Sequence, residues 1–376
     1  MKKRFTIDGS DALESHLSEV CEQVRAGVRA RIPNHKLEGL VLAGGYGRGE
    51  GGVLKTESAD APYNDLEFFV FIHGNTLLND RRYRQSLHQL AAELTPQAGI
   101  EVEFKILSLA SFVRSETSMF YYDLVMGHQW LVGDASLFAA CKHHRDATRI
   151  PLHEATRLLF NRCSGLLYAK ERLQREPFSN EDADFVGRNL AKAQLALGDA
   201  WLTTRGAYHW SCVERQKRLR MAGDNWSKRL ALHHAAGVAF KLHPQRASAS
   251  KKPALLAQHT DLTQLAEQLW LCLEGKRIGT HFPSSRDYAE ARRSLCPERS
   301  ILHNLACNLR AFGLSGLLSR FRTRYPRERL LRSLALLLWA QTDASVRANL
   351  TACLNCGDSS LDGSVRAYEN LWHRFN

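Results

Sequence analysis

The chain has no apolar run long enough to cross a membrane. The longest, Leu334–Ala340, is far short of the roughly 20 residues a spanning helix needs. The opening MKKRFTIDGSDALESHL is basic but has no apolar stretch behind it, as a secretion signal would. A cytoplasmic protein with no membrane partner is therefore expected. No internal repeat or low-complexity tract occurs, which sets aside solenoids and disordered linkers. The nine cysteines are odd in number and scattered. The CxxC of Cys353 and Cys356 has no second pair at zinc spacing, so a zinc knuckle and a disulfide framework are both excluded. Reduced, packed thiols are expected instead.

What is present is ordinary globular material: 44% hydrophobic and 24% charged residues. The length suits two domains. The net charge of +12 favours polyanions such as RNA, or an acidic protein, as partners. Much of the excess lies in two runs, Arg215–Lys217–Arg218–Arg220 and Arg320–Arg322–Arg324–Arg327–Arg329. Either run is equally well read as a solvated helix face.

Hydrophobic spacing divides the chain. Leu13, Leu17, Val20, Cys21, Val24 and Val28 recur at helical period, predicting a helix over 11–31. Strands are expected at 39–43, 65–72 and 99–107, with a helix over 77–94 and a short helix and strand within 118–134. In the third strand Ile100, Val102, Phe104 and Ile106 share one face, and Glu101, Glu103 and Lys105 the other. After Pro151 strand signals cease and six helical segments follow, with a polar loop at 243–254. The expectation is a mixed α+β domain over 1–150 and an all-helical domain over 151–376.

The stretch LVLAGGYGRGEGG (40–52) ends an apolar strand on six glycines. Glycine is kept where a chain turns tightly or approaches a ligand closely, and glycine-rich turns after strands often point backbone N–H groups at phosphates. Gly47, Gly49 and Gly52 fit a GxGxxG spacing, but no helical pattern follows at once, which argues against a dinucleotide fold. A P-loop is excluded by the missing Gly-Lys-Ser/Thr ending. Downstream, Asp65 and Glu67 flank Leu66 and so share one face of a strand. Two such carboxylates are costly without a cation. Magnesium is the usual partner, because it takes hard oxygen ligands together with phosphate. A third carboxylate from a neighbouring strand, Glu101 or Glu103, would complete a two-metal site.

The order of Ala43–Gly44–Gly45, then Asp65–Leu66–Glu67, then Glu101 or Glu103 resembles the DNA polymerase beta-like nucleotidyltransferase superfamily. GGYGRGE (44–50) is similar to the loop of the bacterial uridylyltransferases that modify the PII signalling protein. NDLEFF and IEVEF are similar to segments of the aminoglycoside nucleotidyltransferases. The resemblance covers roughly residues 10–134. Three departures accompany it: the loop-to-carboxylate interval is long, with VLKTESADAPY suggesting a flap; the second carboxylate is Glu67 where many members have Asp; and no HD phosphohydrolase motif follows. The resemblance implies Mg2+ held by Asp65, Glu67 and a third carboxylate. IEVEF set against the aminoglycoside enzymes points to Glu101, and VEFKIL set against minimal nucleotidyltransferases to Glu103. Glu103 is favoured because Val102 and Phe104 flank it and Lys105 shares its face. It implies an NTP, ATP foremost, cradled by Gly44, Gly45, Tyr46, Gly47 and Arg48, with Lys105 meeting a carboxylate or phosphate. A nucleoside monophosphate would pass to an RNA or protein hydroxyl. The basic charge makes a small cationic acceptor less attractive. The alternative is a non-catalytic nucleotide sensor or nucleic-acid-binding protein on the same fold, and an antitoxin-paired toxin or its partner is a third reading.

The pairs His143–His144 and His233–His234 are read as one packed and one solvated residue each, not as metal ligands, because neighbours on a helix diverge. Tyr208 is read as a core residue.

Overall fold

The computed structural model describes residues 4–57, 59–297, 299–358 and 360–375. It divides into two compact units, Met1–Glu154 with Trp201–Arg246, and Ala155–Ala200 with Ala247–Asn376. No described helix is long and apolar enough to cross a membrane.

The first unit opens with α1 (Asp11–Arg31), whose N-terminus is capped by Ser10 accepting from the Leu13 amide. Its expected apolar stripe is the buried one, from Leu13 to Val28. Then come β1 (Leu37–Leu42), α2 (Gly44–Arg48), β2 (Val53–Lys55), β3 (Asp60–Pro62), β4 (Leu66–Ile72), α3 (Thr76–Ala98), β5 (Val102–Leu107), α4 (Leu109–Arg114), α5 (Met119–Met126) and β6 (Gln129–Val132). Two 3-10 stretches, Ala135–Arg145 and Ala147–Arg149, follow. The chain continues through α6 (Leu152–Leu173), α7 (Asn180–Thr204), α8 (Cys212–Met221) and α9 (Asn225–Leu242).

Four strands form one mixed sheet in the order β5-β4-β1-β6. β4 runs parallel to β5, while β1 is antiparallel to both β4 and β6. Both faces of the central strands are covered, which is why LEFFVFI reads as a continuous apolar run. Leu40, Leu42, Leu66, Phe68, Val70 and Ile72 pack on one side against α1 and α3. Val41, Phe69 and Phe71 pack on the other against Phe112, Leu124 and Phe138. The polar insert after the glycines forms a separate two-stranded hairpin, β2 with β3.

Several expectations are corrected. The glycine stretch is not an open loop, because residues 44–48 are helical. Glycine is a poor helix former, but here tertiary geometry requires it. A Cβ at Gly47 would lie 2.3 Å from the Leu42 carbonyl oxygen, so only glycine lets the turn fold back on the strand it leaves. α3 runs on to Ala98, with Pro96 in its final turn and Gly99 closing it in the left-handed region. The third strand starts at Val102 rather than 99.

The expected boundary after residue 150 placed 201–246 in the helical domain, whereas these residues belong to the compact unit of the sheet. The reason is local. The Glu50 carboxylate accepts hydrogen bonds from the Ser211 hydroxyl and the Cys212 amide, and Tyr208 packs on Tyr122 with ring centroids 5.8 Å apart. Tyr208 is a core residue, as the sequence suggests. His144 and His234 are fully buried, while His143 and His233 are partly exposed. All nine cysteines are free.

The described part of the second unit is helical. It contains most of α6 and α7, together with α10 (Lys252–Ile278), α11 (Ser285–Glu290), α12 (Ile301–Leu318), α13 (Pro326–Leu338), α14 (Ala344–Leu354) and α15 (Leu361–Phe375).

Candidate active site

The register of β4 and β5 assembles the acidic group. Glu67 stands opposite Glu103, and Phe69 opposite Lys105. One step earlier, the Leu66 amide donates to the Glu101 carbonyl at 2.8 Å. Side chains alternate along each strand. With Leu66 and Phe68 committed to the core, Asp65 and Glu67 leave from the opposite face. That face is covered further along by Phe69 and Phe71, but at its start it carries only carboxylates. Oxygens of Asp65, Glu67 and Glu103 all lie within 4.8 Å of one another. Glu101 is exposed and lies outside this group.

Three carboxylates this close repel one another, and partial burial strengthens the repulsion. The Asp65 carboxyl is accordingly pushed above the usual range, first by burial and then by the charges of Glu67 and Glu103. Lys105 offsets part of the cost. Its Nζ lies 2.7 Å from Glu67 Oε1 and 3.5 Å from Glu103 Oε2. Burial pulls the Lys105 ammonium down, but the hydrogen bond and charge of Glu67, with Glu103 behind them, leave it raised overall.

The glycine turn abuts this group. The Ala43 amide donates to the Glu67 carbonyl at 2.9 Å, which pins the start of α2 beside the strand. Gly44 has φ +62°, and a Cβ there would lie 2.5 Å from Glu67 Oε2. A side chain at this position would fill the space over the carboxylate. A Cβ at Gly45 would meet the Glu50 carbonyl oxygen at 3.2 Å.

Other candidates lie elsewhere. Tyr46 is fully buried in the core around α1 and the sheet. Its hydroxyl donates to the Gly52 carbonyl at 2.8 Å and accepts from the Tyr63 amide at 3.0 Å, and burial pushes the phenol up to about 12. Gly47 sits under Leu42. Arg48 is largely buried, and its guanidinium donates to Asp123 at 3.0 Å. The structure thus brings Asp65, Glu67, Glu103, Lys105 and Gly44 together, and it turns Tyr46 and Arg48 into struts of the turn.

Two acidic residues that complete this scaffold escape a sequence reading. Asp123 accepts from Arg48 and from the Tyr208 hydroxyl at 3.2 Å. Its signal was its isolation as the one carboxylate in SMFYYDLVMGHQWLV. Glu50 is 5% exposed, and its oxygens accept from Ser211, Cys212 and Val213 at the start of α8. Nothing in the glycine run distinguishes it.

No family model matches the chain, and no curated protein matches it. A solved structure, the spectinomycin adenyltransferase AAD(9) from Enterococcus faecialis with ATP and spectinomycin, aligns over 65% of this chain and 98% of its own. The TM-score is 0.33 and the identity 12%. The reading of the site therefore rests on this chain's own residues.

Proposed function

We propose that the chain is a magnesium-dependent nucleotidyltransferase that moves a nucleoside monophosphate from an NTP, ATP foremost, to a hydroxyl of an RNA or protein acceptor. The observation that carries this reading is the acidic group: three carboxylates within 4.8 Å, beside a glycine that keeps the space over Glu67 open. All the donors are hard oxygens, which fits Mg2+. Asp65, Glu67 and Glu103 would hold the ion. When bound, it neutralises phosphate charge and polarises the phosphoryl group under attack.

The chain's own residues do the rest. Gly44 leaves room for phosphate against the strand. Lys105 keeps a positive charge at Glu67 and Glu103 and can follow charge onto the leaving group. Glu103 takes the proton of the acceptor hydroxyl. The hydroxyl oxygen bonds to the α-phosphorus, the bond from that phosphorus to the bridging oxygen breaks, and pyrophosphate leaves with the electron pair. Positioning and charge compensation are what such phosphoryl transfers require of a protein. The net charge of +12 supports an acidic or polyanionic acceptor over a cationic small molecule.

The second reading, a non-catalytic nucleotide sensor or nucleic-acid-binding protein, draws on Lys105, whose ammonium already compensates two of the carboxylates. One experiment separates the two. Purified protein is incubated with each α-labelled NTP, Mg2+ and lysate split into RNA, protein and small-molecule fractions. Transfer predicts label in the RNA or protein fraction, lost in Asp65→Asn and Glu67→Gln. Nucleotide binding without label in any fraction would favour the sensor.

A further inference from the structure

The basic run that begins at Arg320 lies in the second unit, which sorts its arginines into distinct environments. Arg329 is fully buried. Its guanidinium lies 4.3 Å from the Phe312 ring centroid and 5.5 Å from that of Phe321, and none of its three nitrogens has a hydrogen-bond partner among the described residues. Arg332 is 3% exposed and saturated by Glu328 and by the carbonyls of Ala289, Ala291 and Arg293. Arg320 lies over the Phe321 ring at 4.8 Å and gives one nitrogen to Asn349 Oδ1 at 2.7 Å. Arg324 gives one nitrogen to the Arg292 carbonyl, and its Nε lies 3.7 Å from Glu328 Oε1.

Arg292, Arg320, Arg324 and Arg332 line one cavity of about 470 Å³, walled by Phe321 and Asn349. Glu290 also lines the cavity, with its Oε1 engaged by Arg286 and the Asn349 amide, and buried Glu328 is shared by Arg332 and Arg324. Three guanidiniums, of Arg320, Arg329 and Arg332, surround the single Phe321 ring. Like charges gathered this closely repel one another, the more so where they are withdrawn from water. Arg320 and Arg324 keep guanidinium nitrogens beyond these contacts, and with the exposed Arg292 and with Arg332 they surround a space in which four arginines face one lining carboxylate, that of Glu290. Guanidinium forks match phosphate oxygens in shape as well as charge.

We infer that this cavity is a phosphoanion site that takes adjacent phosphoryl groups, either of a free oligophosphate or of an RNA backbone. Arg320, Arg324 and Arg292 make the direct contacts. Arg329, unpaired beneath the Phe321 wall, adds a fixed positive charge. The inference stands apart from the nucleotidyl-transfer reading, because the cavity shares no residue with Asp65, Glu67 or Glu103.

The test uses the full chain carrying Asp65→Asn, in EDTA, so that the carboxylate site contributes no metal-dependent binding. Inorganic triphosphate is titrated calorimetrically, and a fluorescein-labelled single-stranded 12-mer RNA by anisotropy. Arg320→Gln with Arg324→Gln is expected to weaken binding at least about tenfold, because each lost charge-assisted hydrogen bond is worth roughly that factor. Lysine at both positions is expected to retain more affinity than glutamine. Loss confined to triphosphate identifies a free oligophosphate as the ligand, and loss of RNA binding identifies the backbone. Should the double variant melt early, Arg292→Gln alone replaces it, since that side chain is exposed. Unchanged affinity for both probes in variants that fold, or no binding of either probe by the parent chain, would overturn the inference.

Discussion

Glu67 and Glu103 stand opposite each other across a parallel strand pair, and the Lys105 ammonium reaches both, at 2.7 Å and 3.5 Å. Glu101, two residues earlier and just before the strand begins, is exposed and outside the group. Under the nucleotidyl-transfer reading, Glu103→Gln should lower turnover by about a hundredfold or more, as loss of a positioned base does. Glu101→Gln should leave turnover within about twofold. Steady-state label transfer with both variants checks this. A severe loss confined to Glu101→Gln would reverse the assignment.

Gly44 is the most sensitive glycine of the turn. Its φ of +62° costs an L-residue about 1–2 kcal/mol, and a Cβ would press on Glu67 Oε2 at 2.5 Å. Gly44→Ala should lower thermal stability by at least that amount and weaken Mn2+ binding, used as a spectroscopic substitute for Mg2+. Gly45→Ala has no positive φ to pay for and a 3.2 Å contact to relieve, so its effect should be smaller on both measurements. Equal behaviour of the two variants would remove Gly44 from the site.

Arg48 was expected to meet phosphate, but its partner in the structure is Asp123, with both side chains largely buried. Removing one member of such a pair strands the other charge, at a cost of about 3 kcal/mol. Arg48→Ala should therefore act mainly on stability, read as a lower denaturant midpoint, with nucleotide affinity measured at low temperature nearly unchanged. In a double-mutant cycle, Arg48→Ala and Asp123→Ala should be strongly non-additive. Additive losses would mean the pair is not coupled.

The acidic group should also leave a mark on stability. A carboxyl whose folded-state value is raised binds its proton more tightly in the folded chain than in the unfolded one. Above that value Asp65 therefore works against folding, and the penalty is relieved as pH falls through it. In EDTA at neutral pH, Asp65→Asn should melt higher than the parent, and with Mg2+ supplied it should lose the transfer activity the parent shows, the trade expected of a functional site. The gap between the two melting curves should close as the solution is acidified. A lower melting temperature for Asp65→Asn would show that the carboxylate group is not under electrostatic stress.

How much of this was legible in the sequence follows from how local each determinant is. The alternation of Ile100 to Ile106 and the apolar run of β4 display their faces directly, so Asp65 and Glu67 on one strand face, and Glu101, Glu103 and Lys105 on another, could be read without coordinates; the parallel register that sets Glu67 opposite Glu103 could not. The helicity of residues 44–48 could not, because it depends on Gly47 fitting under Leu42 and on the Ala43 amide bonding to Glu67. Tyr46 and Arg48 looked like ligand contacts because their true partners, Tyr63 and Asp123, are distant in sequence. The charge run at 215–220 reads as a solvated helix face, and α8 does carry it. Arg215 is buried there, donating to the His209 carbonyl at 2.6 Å, and a charge count does not reveal such a contact. The same holds for Arg329, fully buried within a run that reads as solvated.

Glu50 allows the link between the glycine turn and α8 to be tested. Its carboxylate accepts from the Ser211 hydroxyl and from the Cys212 amide at 2.8 Å, at the N-terminal end of α8. A negative charge is favourable there, because the first amides of a helix are unsatisfied and its dipole is positive. Burial pushes the Glu50 carboxyl up, but the bonds from Ser211 and Cys212 and the charge of Lys241 outweigh it, and the net shift is downward. For a carboxylate with a lowered folded-state value, the stabilisation is fully present above the ordinary glutamate range and is lost as pH falls through the folded-state value. Glu50→Gln keeps the shape but not the charge, so it should cost about 2 kcal/mol at neutral pH. The variant should also lose less stability than the parent between neutral and acid pH. Urea midpoints measured across that range check both effects. A Glu50→Gln curve parallel to the parent's at every pH would show that the carboxylate charge does not join the turn to α8.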